Sequence, residues 1–196
     1  MTSRRVSWQR IDETPTDEVC AMSVRGSGVS LVGTVLGADG GVPLRIEYRV
    51  LTDAAGLTTA VHVREQRGFG QHALTLLRDV KGGWTGDGIP LRGLRGCTDV
   101  DLGVSPSTHT LPVRRLRLPI GASATINVAW IRFPGLAVEK VAQTYTRLDE
   151  FTYRQASGSF EAELTVDDDG LVIVGGTWRR TGLAVGAEDS EPLDAR

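Results

Sequence analysis

Residues 44–50, Leu-Arg-Ile-Glu-Tyr-Arg-Val, alternate apolar and charged side chains without a break. Successive side chains of an extended chain point to opposite faces, so Leu44, Ile46, Tyr48 and Val50 fall on one side and Arg45, Glu47 and Arg49 on the other. This is the pattern of an antiparallel strand with one wet face. The same period returns at the far end of the chain, where Phe160, Ala162, Leu164 and Val166 alternate with Glu161, Glu163 and Thr165. Between such stretches stand Gly26 to Gly28, Asp39-Gly40-Gly41, Gly82-Gly83, Asp87-Gly88, Pro134-Gly135 and Asp169-Gly170. They punctuate the chain at hairpin intervals with the residue types that tight turns require.

Glycine supplies 24 of the 196 residues, well above the ordinary share of about 7%, as a fold with many turns demands. Long stretches of helical periodicity are absent. The spacing predicts a dozen or more strands, too many for one flat open sheet. The expected fold is therefore all-β, a single-domain antiparallel β-roll or barrel. Its expected extent is residues 8–182, with residues 1–7 and 183–196 as flexible tails, the second one acidic through Glu188, Asp189, Glu191 and Asp194. Residues 126–133 depart from simple alternation: Ile126, Val128 and Trp130 share one face, while Ala129, Ile131 and Phe133 make the other apolar as well. Such a strand is buried on both sides, either as a central strand or as a wall between a packed core and a lined cavity.

A hydrophobic fraction of 40% beside a charged fraction of 23% is enough to fill a core. The formal net charge of −2 offers no general attraction for phosphate backbones, so no nucleic-acid partner is expected. Cys20 and Cys97 have neither metal-finger spacing nor a C-x-x-C pairing; two reduced thiols are the simplest reading, with one disulfide left open. Residues 1–10 lack the apolar run of a secretory signal, and no window approaches the roughly 20 apolar residues of a membrane helix. A cytoplasmic location without an integral membrane segment is the expectation; oligomeric state is not legible.

Chemistry concentrates in Gly96 to Leu116, GCTDVDLGVSPSTHTLPVRRL. Read as a strand, Asp99 and Asp101 share a face opposite Val100 and Leu102. Two carboxylates held side by side call for a cation, and Arg114, Arg115 and Arg117 lie a loop away. Pro106 and Pro112 bound a loop whose Ser107, Thr108 and Thr110 can bond back to the backbone, followed by a second strand entered through Arg114 and Arg115, with Arg115 and Arg117 on one face. Four readings fit: a hard-cation site on Asp99 and Asp101, an acid–base pair of Asp and His109, a nucleophilic set of Ser105 or Ser107 with His109, and a buried structural corner. A bare D-x-D lacks converging oxygens, and no G-x-S-x-G surrounds either serine. Asp167-Asp168-Asp169-Gly170 lacks calcium-loop spacing and reads as a hairpin turn. No metal and no cofactor are expected.

The same run, followed by Trp130-Ile131-Arg132-Phe133-Pro134 and then Gln143-Thr144-Tyr145, resembles the signature order of the bacterial "putative glycolipid-binding" family. Trp8, Tyr48, Gly83-Trp84, Tyr153 and Asp169-Gly170-Leu171-Val172 match its spacing too, so the similarity spans Trp8 to Arg180. The resemblance implies a spiral β-roll of many antiparallel strands, and a glycolipid-binding role proposed from likeness to lipid and lipoprotein carriers of the bacterial envelope. Three positions depart from the family pattern. His109 stands where an Asn is usual, residues 173–178 lack a Tyr-Pro-Gly, and residues 53–59 lack a Trp and an Arg. Residues and resemblance together point to a non-enzymatic binding protein for an amphipathic small molecule such as a glycolipid, held in a β-roll cavity, with apolar strand faces for a chain and Asp99, Asp101, His109, Arg114, Arg115, Trp130 and Tyr145 for a head group. The alternatives are a hydrolase or isomerase using Asp and His109, and an interaction scaffold with no ligand.

Overall fold

The structure is a computed structural model that describes residues 2–12 and 16–185. Eight strands run up and down in chain order: β1 (Thr2–Arg10), β2 (Asp17–Arg25), β3 (Gly28–Asp39), β4 (Val42–Thr52), β5 (Thr58–Arg67), β6 (Gly70–Arg78), β7 (Trp84–Gly86) and β8 (Ile89–Pro90). Then come β9 (Asp99–Leu102), helix α1 (Thr110–Leu116), β10 (Ser123–Ile131) and β11 (Val138–Arg147). The chain closes with β12 (Thr152–Ser157), β13 (Phe160–Val166), β14 (Val172–Gly175) and β15 (Trp178–Val185). The last strand pairs with the first, so one fifteen-stranded sheet results, with β8 and β9 at its edges and β1 and β15 at its middle. The fold is all-β, as the alternation predicted.

That topology forces the sheet to curl. Fourteen gaps of about 4.8 Å would separate the edges of a flat sheet by roughly 67 Å. Only residues 91–98 join β8 to β9, and a linker of that length reaches about 30 Å at most. The edges must therefore approach, and they do: the Thr58 N–H on β5 donates to the Thr98 carbonyl beside β9 at 3.0 Å. Because the seam forms at β5, strands β6–β8 continue past it, and the sheet spirals without closing.

Three expectations differ from the structure. Residues 2–7 are not a tail but the first part of β1, hydrogen-bonded to β2 on one side and β15 on the other. At the other end, residues 183–185 complete β15, and the rest of the predicted acidic tail lies outside the described residues. The stretch expected as a second strand after the Pro loop is helical: a 3-10 turn, Ser107–His109, leads into α1, and Arg117 follows with left-handed backbone. Pro112 fits because it sits in the first turn, where its missing N–H would have had no helical partner. Seven residues are too few for a 3.6-residue period to show in sequence. The helix supplies the crossover that the parallel pairing of β9 with β10 requires.

Buried apolar residues form two clusters. The larger, with Trp8, Met22, Leu31, Ile46 and Leu76, also takes Val100 and Leu102 from β9 and Ala129 and Ile131 from β10. The smaller holds Val113 of α1, Ile126 and Val128 of β10, Tyr145, Tyr153 and Leu164. Strand β10 thus serves both clusters, one with each face, as its two-sided apolarity predicted. Asp99 and Asp101 occupy the face of β9 turned away from the larger core.

Candidate functional site

On that face the spiral leaves two separate cavities, and the residues of the central run divide between them. The first, about 670 Å³, lies between β9–β10 and the inner faces of β11–β14 and is reached by Asp101, His109 and Trp130. The second, about 770 Å³, lies at the far end of α1 and is lined by Arg114 and Arg115. Asp99 is fully buried and takes the Arg115 guanidinium in a two-pronged ion pair, with Thr98 Oγ1 donating to Asp99 Oδ2 at 2.6 Å. Adjacent aspartates on one strand face therefore have different tasks. Asp99 is locked to Arg115, and Asp101 is left to the first cavity.

Asp101 begins a chain of hydrogen bonds whose polarity follows from valence alone. Its carboxylate accepts from Gln143 Nε2, since an ionised carboxylate has no proton to give. The amide is thereby oriented, and its Oε1 must accept from the Tyr145 hydroxyl at 3.1 Å. Burial, reinforced by the charges of Asp101 and Asp99, holds the Tyr145 phenol well above its usual pKa, so that proton stays in place. The Tyr145 oxygen then accepts from His109 Nδ1, 2.8 Å away. His109 is accordingly the Nδ1–H tautomer, with Nε2 a free acceptor. Burial lowers its pKa against the opposing pull of Asp101, so the ring favours neutrality near pH 7.

The arrangement orients groups; it does not assemble a nucleophile. Asp101 and His109 are linked only through an amide and a phenol, and neither Ser105 nor Ser107 bonds to His109. Ser105 and Ser107 instead join Glu18 and Tyr48 in a buried cluster behind the cavity. Burial outweighs those hydrogen bonds and pushes the Glu18 carboxyl up to about 7. Tyr48 reaches that cluster because Gly33, its neighbour across β3, has no side chain: a Cβ there would come within 2.4 Å of the Tyr48 ring. Among the described residues, no group of three His, Cys, Asp or Glu side chains converges as metal ligands do. Cys20 and Cys97 are buried free thiols.

Three further residues line the first cavity that the sequence did not single out. Gln155 is only 2% exposed, yet its amide has no hydrogen-bond partner among the described residues. Trp178 and Phe160 add aromatic surface to a lining that also holds Trp130. Gln155 had a sequence signal: it alternates with Tyr153 and so falls on the inward face of β12. An amide at an inward position of an amphipathic strand marks either a polar network or a ligand. Trp178 had none, because it follows a turn outside the matched motifs.

A family model described as "Putative glycolipid-binding" matches residues 5–180. The chain belongs to this family. A crystal structure of a DUF1089 family protein from Pseudomonas aeruginosa is similar, at 34% identity and a TM-score of 0.76, over 84% of this chain and 91% of that one. No curated protein matches the chain. In this glycolipid-binding family member, His109 occupies a position where the sequence resemblance leads one to expect Asn. An Asn amide could offer Tyr145 the same kind of donor, so the relay does not depend on imidazole chemistry. Residues 173–178, which lack the expected Tyr-Pro-Gly, place Gly175, Gly176, Thr177 and Trp178 on the first cavity. Residues 53–59, the other departure, contribute to the second.

Proposed function

We propose that this protein is a non-catalytic binder of an amphipathic molecule with a hydroxyl-bearing, sugar-like head, taken into the cavity beside Asp101. The observation that carries this reading is Gln155: its amide has no hydrogen-bond partner among the described residues, and it lies on this cavity, where a seated molecule can take its hydrogen bonds. Asp101, Gln143, Gln155 and His109 Nε2 together offer acceptors and donors, which suits hydroxyl groups that both give and take protons. Trp130 and Trp178 provide indole surface for the apolar side of a ring, each with a guanidinium over its ring, Arg132 at 5.7 Å and Arg10 at 5.9 Å, and Val141, Ala162 and Leu164 continue the lining with aliphatic surface for a chain. A volume of about 670 Å³ falls in the usual range for small-molecule sites. The family description agrees with this chemistry. No helix among the described residues is long and apolar enough to cross a membrane.

Tryptophan fluorescence tests the reading, because Trp8 and Trp84 are buried elsewhere with their indole N–H groups bonded to the Val172 and Cys97 carbonyls. Octyl glucoside below its micelle threshold is expected to shift the emission of the unaltered protein and to leave a folded Trp130→Phe/Trp178→Phe protein unmoved. Ala162→Phe, which fills the cavity, should abolish the shift with both tryptophans present. An unaltered protein whose emission ignores the glucoside would contradict the proposal.

A further inference from the structure

The second cavity has a different chemistry. It is walled by the β2–β3, β4–β5 and β13–β14 turns and by the β11–β12 loop, and these bring Arg25 and Arg147 to the arginines at the end of α1. Two of the turns depend on glycine to approach: a Cβ at Gly56, where φ is +81°, would lie 3.2 Å from Arg115 Cβ, and one at Gly170, at φ +76°, would lie 3.0 Å from Arg114 Cγ. The turns are thus built against the arginine stems.

The charge balance in the cleft depends on which ions are already engaged. Arg115 belongs to Asp99. Arg114 donates to the Asp169 carbonyl at 2.6 Å, while the Asp169 carboxylate pairs with Arg4 at 2.7 Å. Arg147 is held by three carbonyls, of Leu118, Asp149 and Glu150, which fix its position; it forms no ion pair among the described residues, and the exposed Asp149 carboxylate acts on it only through space. Arg25 and Arg117 are exposed and form no ion pair among the described residues. Arg117 closes α1 at φ +46°, the left-handed backbone with which helices commonly end.

Four acids also line the cleft. Asp53 Oδ1 accepts the Ala55 and Leu57 N–H groups, and Asp167 is divided between its own turn and Arg180. The remaining pair, Glu150 and Asp168, are exposed to solvent and screened. Counted over the lining, five arginines exceed four acids by one positive charge.

We infer that this second cavity is an anion site for a phosphate-bearing molecule, gripped by Arg25, Arg117 and Arg147. Guanidinium forks match phosphate oxygens in pairs, and three forks around one cleft suit a group with several terminal oxygens better than a single carboxylate. A volume of about 770 Å³ admits a molecule larger than the bare ion, either a free phosphate ester or the head of a phospholipid. The inference is independent of the sugar-head reading, which concerns the other cavity.

Titration calorimetry with inorganic pyrophosphate tests it, at an ionic strength fixed with sodium chloride. The unaltered protein is expected to bind, Arg25→Gln/Arg117→Gln to lose affinity by on the order of tenfold or more, and Arg92→Gln, outside the cleft, to keep it. Co-sedimentation with phosphatidylglycerol vesicles, set against phosphatidylcholine vesicles, separates the sources. Retention on the anionic vesicles that the double variant loses identifies a lipid head; pyrophosphate binding without vesicle retention identifies a soluble ester. Absence of binding to both pyrophosphate and anionic vesicles overturns the inference. So does an affinity that the double variant leaves intact or that Arg92→Gln weakens equally.

Discussion

Arg115→Met lowers the stability of the protein at pH 7 by about 3–5 kcal/mol, the usual loss when a buried ion pair is broken from one side. The magnitude follows from Asp99, which has no exposed surface and retains only the Thr98 hydroxyl once the guanidinium is gone. The side chain of Arg115 is itself 15% exposed, so Asp99→Asn, which strands the cation beside a solvated cleft, should cost less. The decisive comparison is Asp99→Leu/Arg115→Met. Two apolar groups remove both desolvation penalties, and this protein should recover to within about 1–2 kcal/mol of the unaltered one. Urea denaturation measures all four. If the single Arg115→Met costs under about 1 kcal/mol, Asp99 is not sealed in the way described.

Glu18 gives the second large effect, with the opposite sign. Its carboxyl titrates near 7 in the folded chain and near 4.5 when unfolded. Between those values the native state holds a proton that the unfolded state has lost. Folding is thus unpenalised below about pH 4.5, and the stability falls as pH rises from about 4.5 to 7 and levels off above. A separation of this size corresponds to about 3 kcal/mol in total. Glu18→Gln is neutral at every pH, so its stability curve, measured by urea denaturation from about pH 4 to about pH 8.5, should gain about 3 kcal/mol on that of the unaltered protein. Two parallel curves would mean that Glu18 is charged throughout and that its cluster carries no proton.

Much of the fold was legible because alternation over strands such as residues 44–50 and 160–166 has one physical meaning in a chain rich in turn residues. The wall-like character of β10 was legible for the same reason, since both parities of residues 126–133 are apolar. What failed were the short and the terminal elements. Seven residues of α1 do not complete enough turns to display a period, and the buried Leu111 and Val113 mimic strand alternation. Residues 2–7 looked like a tail because nothing local reveals that β15 will return beside them from more than 160 positions away. The site was legible in its residue types and not in its grouping. Asp99 and Asp101 share a strand face, and sequence alone treats them as one cluster; the placement of Arg115 on a helix assigns one of them to an ion pair and leaves the other for a cavity. Gln155 and Trp178 lie far along the chain from the dense run, and only the curl of the sheet brings them to Asp101.

The central claim, that the cavity beside Asp101 takes a sugar-like head with its apolar tail, is tested most directly by calorimetric titration of one chain length with and without the sugar. Dodecyl maltoside below its micelle threshold should bind the unaltered protein at least about tenfold more tightly than dodecanol does, a difference of about 1.4 kcal/mol. Gln155→Leu and Asp101→Asn, both folded by circular dichroism, should lose that preference. Equal affinity for the two amphiphiles, or a preference for the maltoside that survives both substitutions, would contradict it.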